Sequence, residues 1–257
     1  MKKSNYHMHT TISDGKLEPE ELINLAIKKK FTLIGITDHY HFPPNFREEK
    51  NEFYSGSDYK ELFRLKAKYK PKIKILVGVE FDWLADYAKW FGKEAKKKYD
   101  YKLLSMHFIK VGEDYVPLDL SEDFFKEIVK KSDGIKKVVE SYYRDLRKGV
   151  KTGYFDVVAH LDIIKIWNKG KKYFSGNEDW YKKQVEETLD LIKDKNMKIE
   201  INAAGWRKPC NEQYPSKQII KDALKLKIPI LIGTDCHKKE DIDNRLNRAN
   251  NLLKRLR

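Results

Sequence analysis

Short runs of apolar, largely β-branched residues alternate along the chain with longer stretches in which apolar positions recur every three or four residues. The short runs have the length and composition of buried strands and the longer ones the period of amphipathic helices, a pattern of βα units around a parallel sheet. It predicts seven strands, over residues 5–9, 32–37, 73–79, 101–106, 155–159, 198–202 and 229–233. Helices are predicted over 19–30, 58–70, 83–98, 122–148, 178–194, 216–226 and 239–255. Pro19 near the first helix start and Tyr214-Pro215-Ser216 before the sixth are helix-entry signals. No linker rich in Pro, Gly or Ser, internal repeat or low-complexity tract interrupts the alternation. Seven βα units in 257 residues predict an α/β chain folded as one domain, residues 1–257, in a closed or nearly closed TIM-like barrel.

Composition narrows the class further. A hydrophobic fraction of 40% with 12% aromatic residues suffices for a large core, and 36% charged residues can cover its outside. The N-terminal Met1-Lys2-Lys3-Ser4-Asn5-Tyr6-His7 runs directly into polar residues, without the apolar stretch of a secretory leader, and no 18-residue apolar run spans a membrane. Cys210 and Cys236 lie far apart and form no C-x-x-C pair. A cytoplasmic protein without a membrane partner is expected. The net charge of +14 raises a nucleic-acid partner, but only nine of the 53 basic residues are arginine, and the lysines spread over most predicted helices as solvated faces. That charge suits a small anionic substrate better.

Histidines change the picture most. His7 and His9 lie on the first strand, and His39, His107, His160 and His237 follow the second, fourth, fifth and seventh; only His41 of the seven is left over. Carboxylates repeat the pattern, with Glu80 ending the third strand, Asp235 the seventh, Asp38 preceding His39 and Asp14 following the first strand. In a parallel barrel the C-terminal strand ends converge on one face, so these residues become neighbours. Nitrogen and oxygen ligands without thiolates select zinc, manganese or iron. Residues two apart on a strand face the same side, so His7 and His9 can chelate one ion, and Glu80 can bridge two. Nine ligands suit two or three ions rather than one.

The motifs His7-Met8-His9, Ser13-Asp14-Gly15, Gly35-Ile36-Thr37-Asp38-His39, Gly78-Val79-Glu80, Ser105-Met106-His107, Ala159-His160 and Gly233-Thr234-Asp235-Cys236-His237, in this order, resemble those of the polymerase and histidinol phosphatase (PHP) family. The resemblance implies a distorted (β/α)7 barrel with its metal site at the C-terminal ends of the strands. It implies that His7, His9, Glu80 and Asp235 hold one ion, Glu80, His107 and His160 a second, and Asp14, His39 and His237 a third. Asp38 is placed behind the ligands, orienting one of them. Residues 199–209, continuing to Tyr214-Pro215-Ser216, resemble the histidinol-phosphatase branch, which implies hydrolysis of L-histidinol phosphate in histidine biosynthesis.

The expected nucleophile is a hydroxide bridging two ions, because metal binding lowers the pKa of water from 15.7 to roughly 7. Glu80 and Asp235 are the expected catalytic carboxylates, and Arg207 and Lys165 the expected cationic groups against the phosphoryl oxygens. Asp119 and Glu113 are candidates for reading the substrate amine. Two other readings stand beside this one: a phosphoesterase acting on nucleotides, DNA ends or phosphotyrosine, and a non-catalytic domain that uses metal to build a partner-binding surface.

Overall fold

The computed structural model describes residues 3–44, 46 and 58–257; Met1 and Lys2 of the basic N-terminus fall outside them. In chain order the first elements are β1 (Ser4–Asn5), α1 (Pro19–Lys28), β2 (Leu33–Ile36), α2 (Asp58–Tyr69), β3 (Lys74–Asp82) and α3 (Ala88–Glu94). There follow β4 (Tyr101–Ser105), β5 (Phe108–Val111), β6 (Asp114–Pro117), α4 (Glu122–Lys131), α5 (Ile135–Thr152) and β7 (Val157–Val158). The chain ends with α6 (Asp179–Asp194), β8 (Lys198–Asn202), α7 (Lys217–Lys225), β9 (Ile230–Gly233) and α8 (Leu246–Leu256).

Seven strands form one parallel sheet in the order β1-β2-β3-β4-β7-β8-β9. Its two edges meet, with Tyr6 N donating to Ile232 O at 3.0 Å, Asp235 N to His7 O at 3.0 Å, and Met8 bridging Cys236. The result is a nearly closed barrel, as predicted. Its interior is a small apolar plug of Tyr101, Leu103, Val157 and Ala159, separate from the larger core between strands and helices. Tyr101 lies across the barrel and donates from its hydroxyl to Tyr6 O at 2.5 Å. Gly35 leaves room for it: a Cβ there would stand 2.0 Å from the Tyr101 hydroxyl. This plug floors the face on which the strand ends gather.

Local chemistry explains the starts of α1, α4 and α7. A capping box of Glu18 and Glu21, with Pro19 behind it, opens α1. Ser121 and Ser216 cap α4 and α7 through their side-chain oxygens. The helix predicted over 122–148 is two, because Asp133 and Gly134 take positive φ (55° and 106°) and end α4. The helix predicted over 83–98 shortens to α3, since β3 continues through Asp82 and Trp83 buries its ring, donating from Nε1 to Asp145 O at 3.0 Å. The last predicted helix starts late, after Arg245 in a left-handed conformation. The hairpin β5–β6 was not predicted; it pairs antiparallel outside the barrel, around Gly112 at φ 62°.

Candidate metal centre

Strand alternation places the side chains. On β3, Gly78, Glu80 and Asp82 share the inward face, and on the extension of β1 so do His7 and His9. Glu80 is the hub. Its Oε2 lies 3.1 Å from His7 Nε2, 3.4 Å from His9 Nε2 and 3.3 Å from His39 Nδ1, while Oε1 lies 2.9 Å from His160 Nε2. Asp235 Oδ1 lies 3.6 Å from His7 Nε2 and 3.2 Å from His9 Nε2, and those two nitrogens are 3.0 Å apart.

These separations test the donor set against a metal. Tetrahedral ligands at about 2.0–2.2 Å from a zinc ion stand about 3.3–3.6 Å from one another. Five of the six edges among His7 Nε2, His9 Nε2, Glu80 Oε2 and Asp235 Oδ1 measure 3.0, 3.1, 3.4, 3.6 and 3.2 Å. His7, His9 and Asp235 offer donor atoms mutually close enough for one divalent ion, and Glu80 Oε2 adds a carboxylate oxygen beside the two imidazoles.

Further groups satisfy the same proximity. Glu80, His107 and His160 form one, and His9, Asp14, His39 and His237 another. In the latter, His237 Nε2 is 3.1 Å and His39 Nε2 3.9 Å from Asp14 Oδ2, and the His9 and His237 rings stack at 4.2 Å. The structure thus brings all nine expected ligands together, and puts His9 within reach of two groups. His41 joins none among the described residues; it packs against Tyr40 and Trp90.

Opposite charges in the cluster act on one another at close range. Burial would raise the Glu80 and Asp235 carboxyls, but the surrounding imidazoles, His7 foremost, hold both well below the usual range. Burial would lower His7, yet Glu200, Glu80 and Asp235 outweigh it and hold the ring well above its ordinary value. His9 goes the other way, pushed down to about 4 by burial and by His237 and His39, so its ring stays neutral at pH 7. Carboxylates and imidazoles thus form one buried cage of opposite charges.

Two buried carboxylates beside the ligands were not foreseen. Asp82 contacts His39 Nδ1 at 3.1 Å and His107 Nδ1 at 2.5 Å, and Glu200 contacts His7 Nδ1 at 2.9 Å. The signals were present: Asp82 stands two residues beyond Glu80, and Glu200 is an acid inside an apolar strand run. Asp38 stands behind the ligands: it accepts from Thr10 N and Oγ1 at 2.6 and 2.8 Å and from Ser13 Oγ at 2.7 Å, which ties down the turn carrying Asp14.

The expected cationic groups separate. Arg207 follows β8 and donates from Nη2 to Thr234 O at 2.9 Å and Asp235 O at 3.0 Å, with Nε 3.3 Å from Asp241 Oδ1 and Nη1 buried without a partner. Lys165 is a correction. It is buried, and its ammonium meets Asp162 Oδ2, Glu212 Oε2 and Gln213 O, each at 2.9 Å. That network accounts for all three protons and the charge of Lys165, leaving no donor for a phosphoryl group. Glu113 and Asp119 are exposed, the former beside Lys110 at 3.8 Å near the tip of the β5–β6 hairpin.

The chain resembles known proteins along most of its length. The chain is 26% identical over 266 residues to the histidinol-phosphatase of Bacillus subtilis, covering 94% of this chain and 96% of that one. A solved structure from Listeria monocytogenes superposes with a TM-score of 0.86 at 24% identity, covering 96% of this chain and 99% of that chain. The histidinol phosphate phosphatase of Lactococcus lactis, solved with zinc, L-histidinol and phosphate, superposes with a TM-score of 0.75 at 21% identity over 99% and 94% of the two chains. Both likenesses are of fold. Among the described residues no helix is long and apolar enough to cross a membrane. The PHP domain matches residues 5–204, a span that takes in the strand ends carrying His7, His9, Asp14, His39, Glu80, His107 and His160, and the chain belongs to the PHP-domain family.

Proposed function

We propose that this chain is a metal-dependent phosphomonoesterase that hydrolyses L-histidinol phosphate to L-histidinol and phosphate, a step of histidine biosynthesis, within one domain spanning residues 1–257. One observation carries the chemistry: Glu80 lies between 2.9 and 3.4 Å from four imidazoles delivered by three strand ends. The substrate follows from likeness to the Bacillus subtilis histidinol-phosphatase along nearly the full length of both chains, and the Lactococcus lactis enzyme of the same fold holds zinc with both products.

His7, His9, Glu80 and Asp235 would hold one ion, Glu80, His107 and His160 a second, and Asp14, His39, His9 and His237 a third. Two to three divalent ions of zinc, manganese or iron would supply an activated water and positive charge against the phosphoryl oxygens. The protein's own part is positioning. Ionised Glu80 and Asp235 keep the imidazoles turned inward, and Asp82 orients His39 and His107 through their Nδ1 atoms. Arg207 is anchored through Nη2, and its unpartnered Nη1 would donate to a phosphoryl oxygen.

The test is a substrate panel with manganese, zinc or iron: L-histidinol phosphate, nucleoside monophosphates, phosphotyrosine and single-stranded DNA. Hydrolysis of histidinol phosphate with kcat/KM far above the rest is expected. Preference for a nucleotide, a DNA end or phosphotyrosine would overturn the substrate, and no hydrolysis of any would favour a metal-stabilised interaction domain.

A further inference from the structure

Every barrel strand except β8 ends in at least one of the nine expected ligands. We infer that β8 is a support strand, whose inward Glu200 and Asn202 fix the orientation of ligands on the strands around it; this rests on the metal-centre reading above. Residues 200 and 202 share a face, and both side chains are buried. β8 lies between β7 and β9, and β9 abuts β1. From there Glu200 Oε1 reaches His7 Nδ1 at 2.9 Å, while Oε2 accepts from His160 N at 3.1 Å and Asn202 Nδ2 at 3.0 Å. Asn202 Nδ2 also stands 3.3 Å from Asp235 Oδ2. One carboxylate and one carboxamide thus touch His7, His160 and Asp235, on three different strand ends.

The surroundings are built for this. A Cβ on Gly233 would stand 1.9 Å from Glu200 Oε1 and 2.5 Å from His7 Cβ, so only glycine leaves the carboxylate its place. His160 and Asp235 take positive φ, 25° and 53°, which non-glycine residues hold only where contacts enforce it. At His160 the Glu200 bond to the backbone N–H is such a contact. With Glu200 accepting from Nδ1–H, His7 is held in the tautomer whose Nε2 lone pair faces His9, Glu80 and Asp235.

Glu200→Gln separates position from bulk. Its amide oxygen can still accept from His160 N and Asn202 Nδ2, which leaves the amide NH2 to donate toward His7 Nδ1. That places the imidazole proton on Nε2, where no metal can bind. Zinc affinity, measured by competition with a chromogenic chelator, should fall about tenfold to a hundredfold for one ion, with the remaining ions retained. Excess zinc should restore occupancy. Long-range proton–nitrogen spectra of the zinc-loaded wild type should show His7 protonated at Nδ1, and the variant should lose that signal at limiting zinc. Thermal unfolding of the chelated proteins reports whether the variant folds. If it does not, Asn202→Ala, which spares the Glu200–His7 contact, decides: about tenfold weaker zinc binding with the Nδ1–H signal kept supports the inference, and wild-type affinity overturns it. Wild-type affinity and tautomer in a folded Glu200→Gln variant would overturn the inference alone. A wild type that binds no zinc would overturn the metal-centre reading beneath it.

Discussion

Replacing Arg207 by lysine tests whether one guanidinium serves both the protein and the substrate. The side chain spends Nη2 on two carbonyls at 2.9 and 3.0 Å, in the turn that carries Asp235, and leaves Nη1 buried without a partner. A lysine ammonium can keep one of those carbonyls, but it cannot hold the turn and donate to a phosphoryl oxygen as a planar fork can. Losing one charged hydrogen bond costs about 1.5–3 kcal/mol, and with the side chain 21% exposed the lower end applies to folding. A donor aimed at the transition state is worth more, about tenfold to a thousandfold in kcat/KM. Steady-state kinetics on the phosphate ester should therefore show that loss, with KM raised and kcat lowered, and inhibition by inorganic phosphate weakened about tenfold. Metal content, by elemental analysis, should hold, because the retained contact still supports Asp235. A variant within about twofold of wild type in kcat/KM would refute the clamp. So would lost activity accompanied by lost metal and unchanged phosphate inhibition, which would leave Arg207 a support for Asp235 alone.

Three other outcomes follow from the cage. Purified active protein should carry more than one metal equivalent and lose activity to a chelator; one equivalent or none at full activity would contradict nine converging ligands. Glu80→Gln should deplete metal more than replacing His7 or His9, since Glu80 meets four imidazoles, and wild-type occupancy in that variant would show it is not shared. Burial would lower His107, but Asp82, with Glu80, outweighs it and pushes the ring up to about 9. In metal-free protein at pH 7 it is therefore protonated, and only the neutral ring ligates, so adding metal should release a proton. The share of that release from His107 should fade as pH rises through about 9, where the ring is already neutral, and pH-stat titration showing no acid released at pH 7 would refute it.

Much of this was legible in the chain. Strand positions followed from apolar runs flanked by turn signals, and the ligands from histidines and acids standing at the ends of those runs. Positions such as His39 and His160 are set by local sequence once the strand direction is known, because parallel strands deliver their C-terminal ends to one face. The break between α4 and α5 was also written locally, in Ser132-Asp133-Gly134, but helical periodicity on both sides concealed it. The β5–β6 hairpin was missed because its eight paired residues, Phe108–Val111 and Asp114–Pro117, are too short and too mixed in polarity to stand out.

By itself, then, the sequence determined which residues could bind metal and on which face of a parallel barrel they would meet, since periodicity and strand direction are properties of neighbouring residues. Which atoms touch was decided only by the closed barrel. Glu200 reaches His7 across 193 positions of sequence, Asp82 stands between His39 and His107, and Lys165, expected at the phosphate, is drawn into Asp162 and Glu212. Buried charges settle on whatever partners the fold brings within hydrogen-bonding distance, and that distance depends on strand order and closure, which no local pattern encodes.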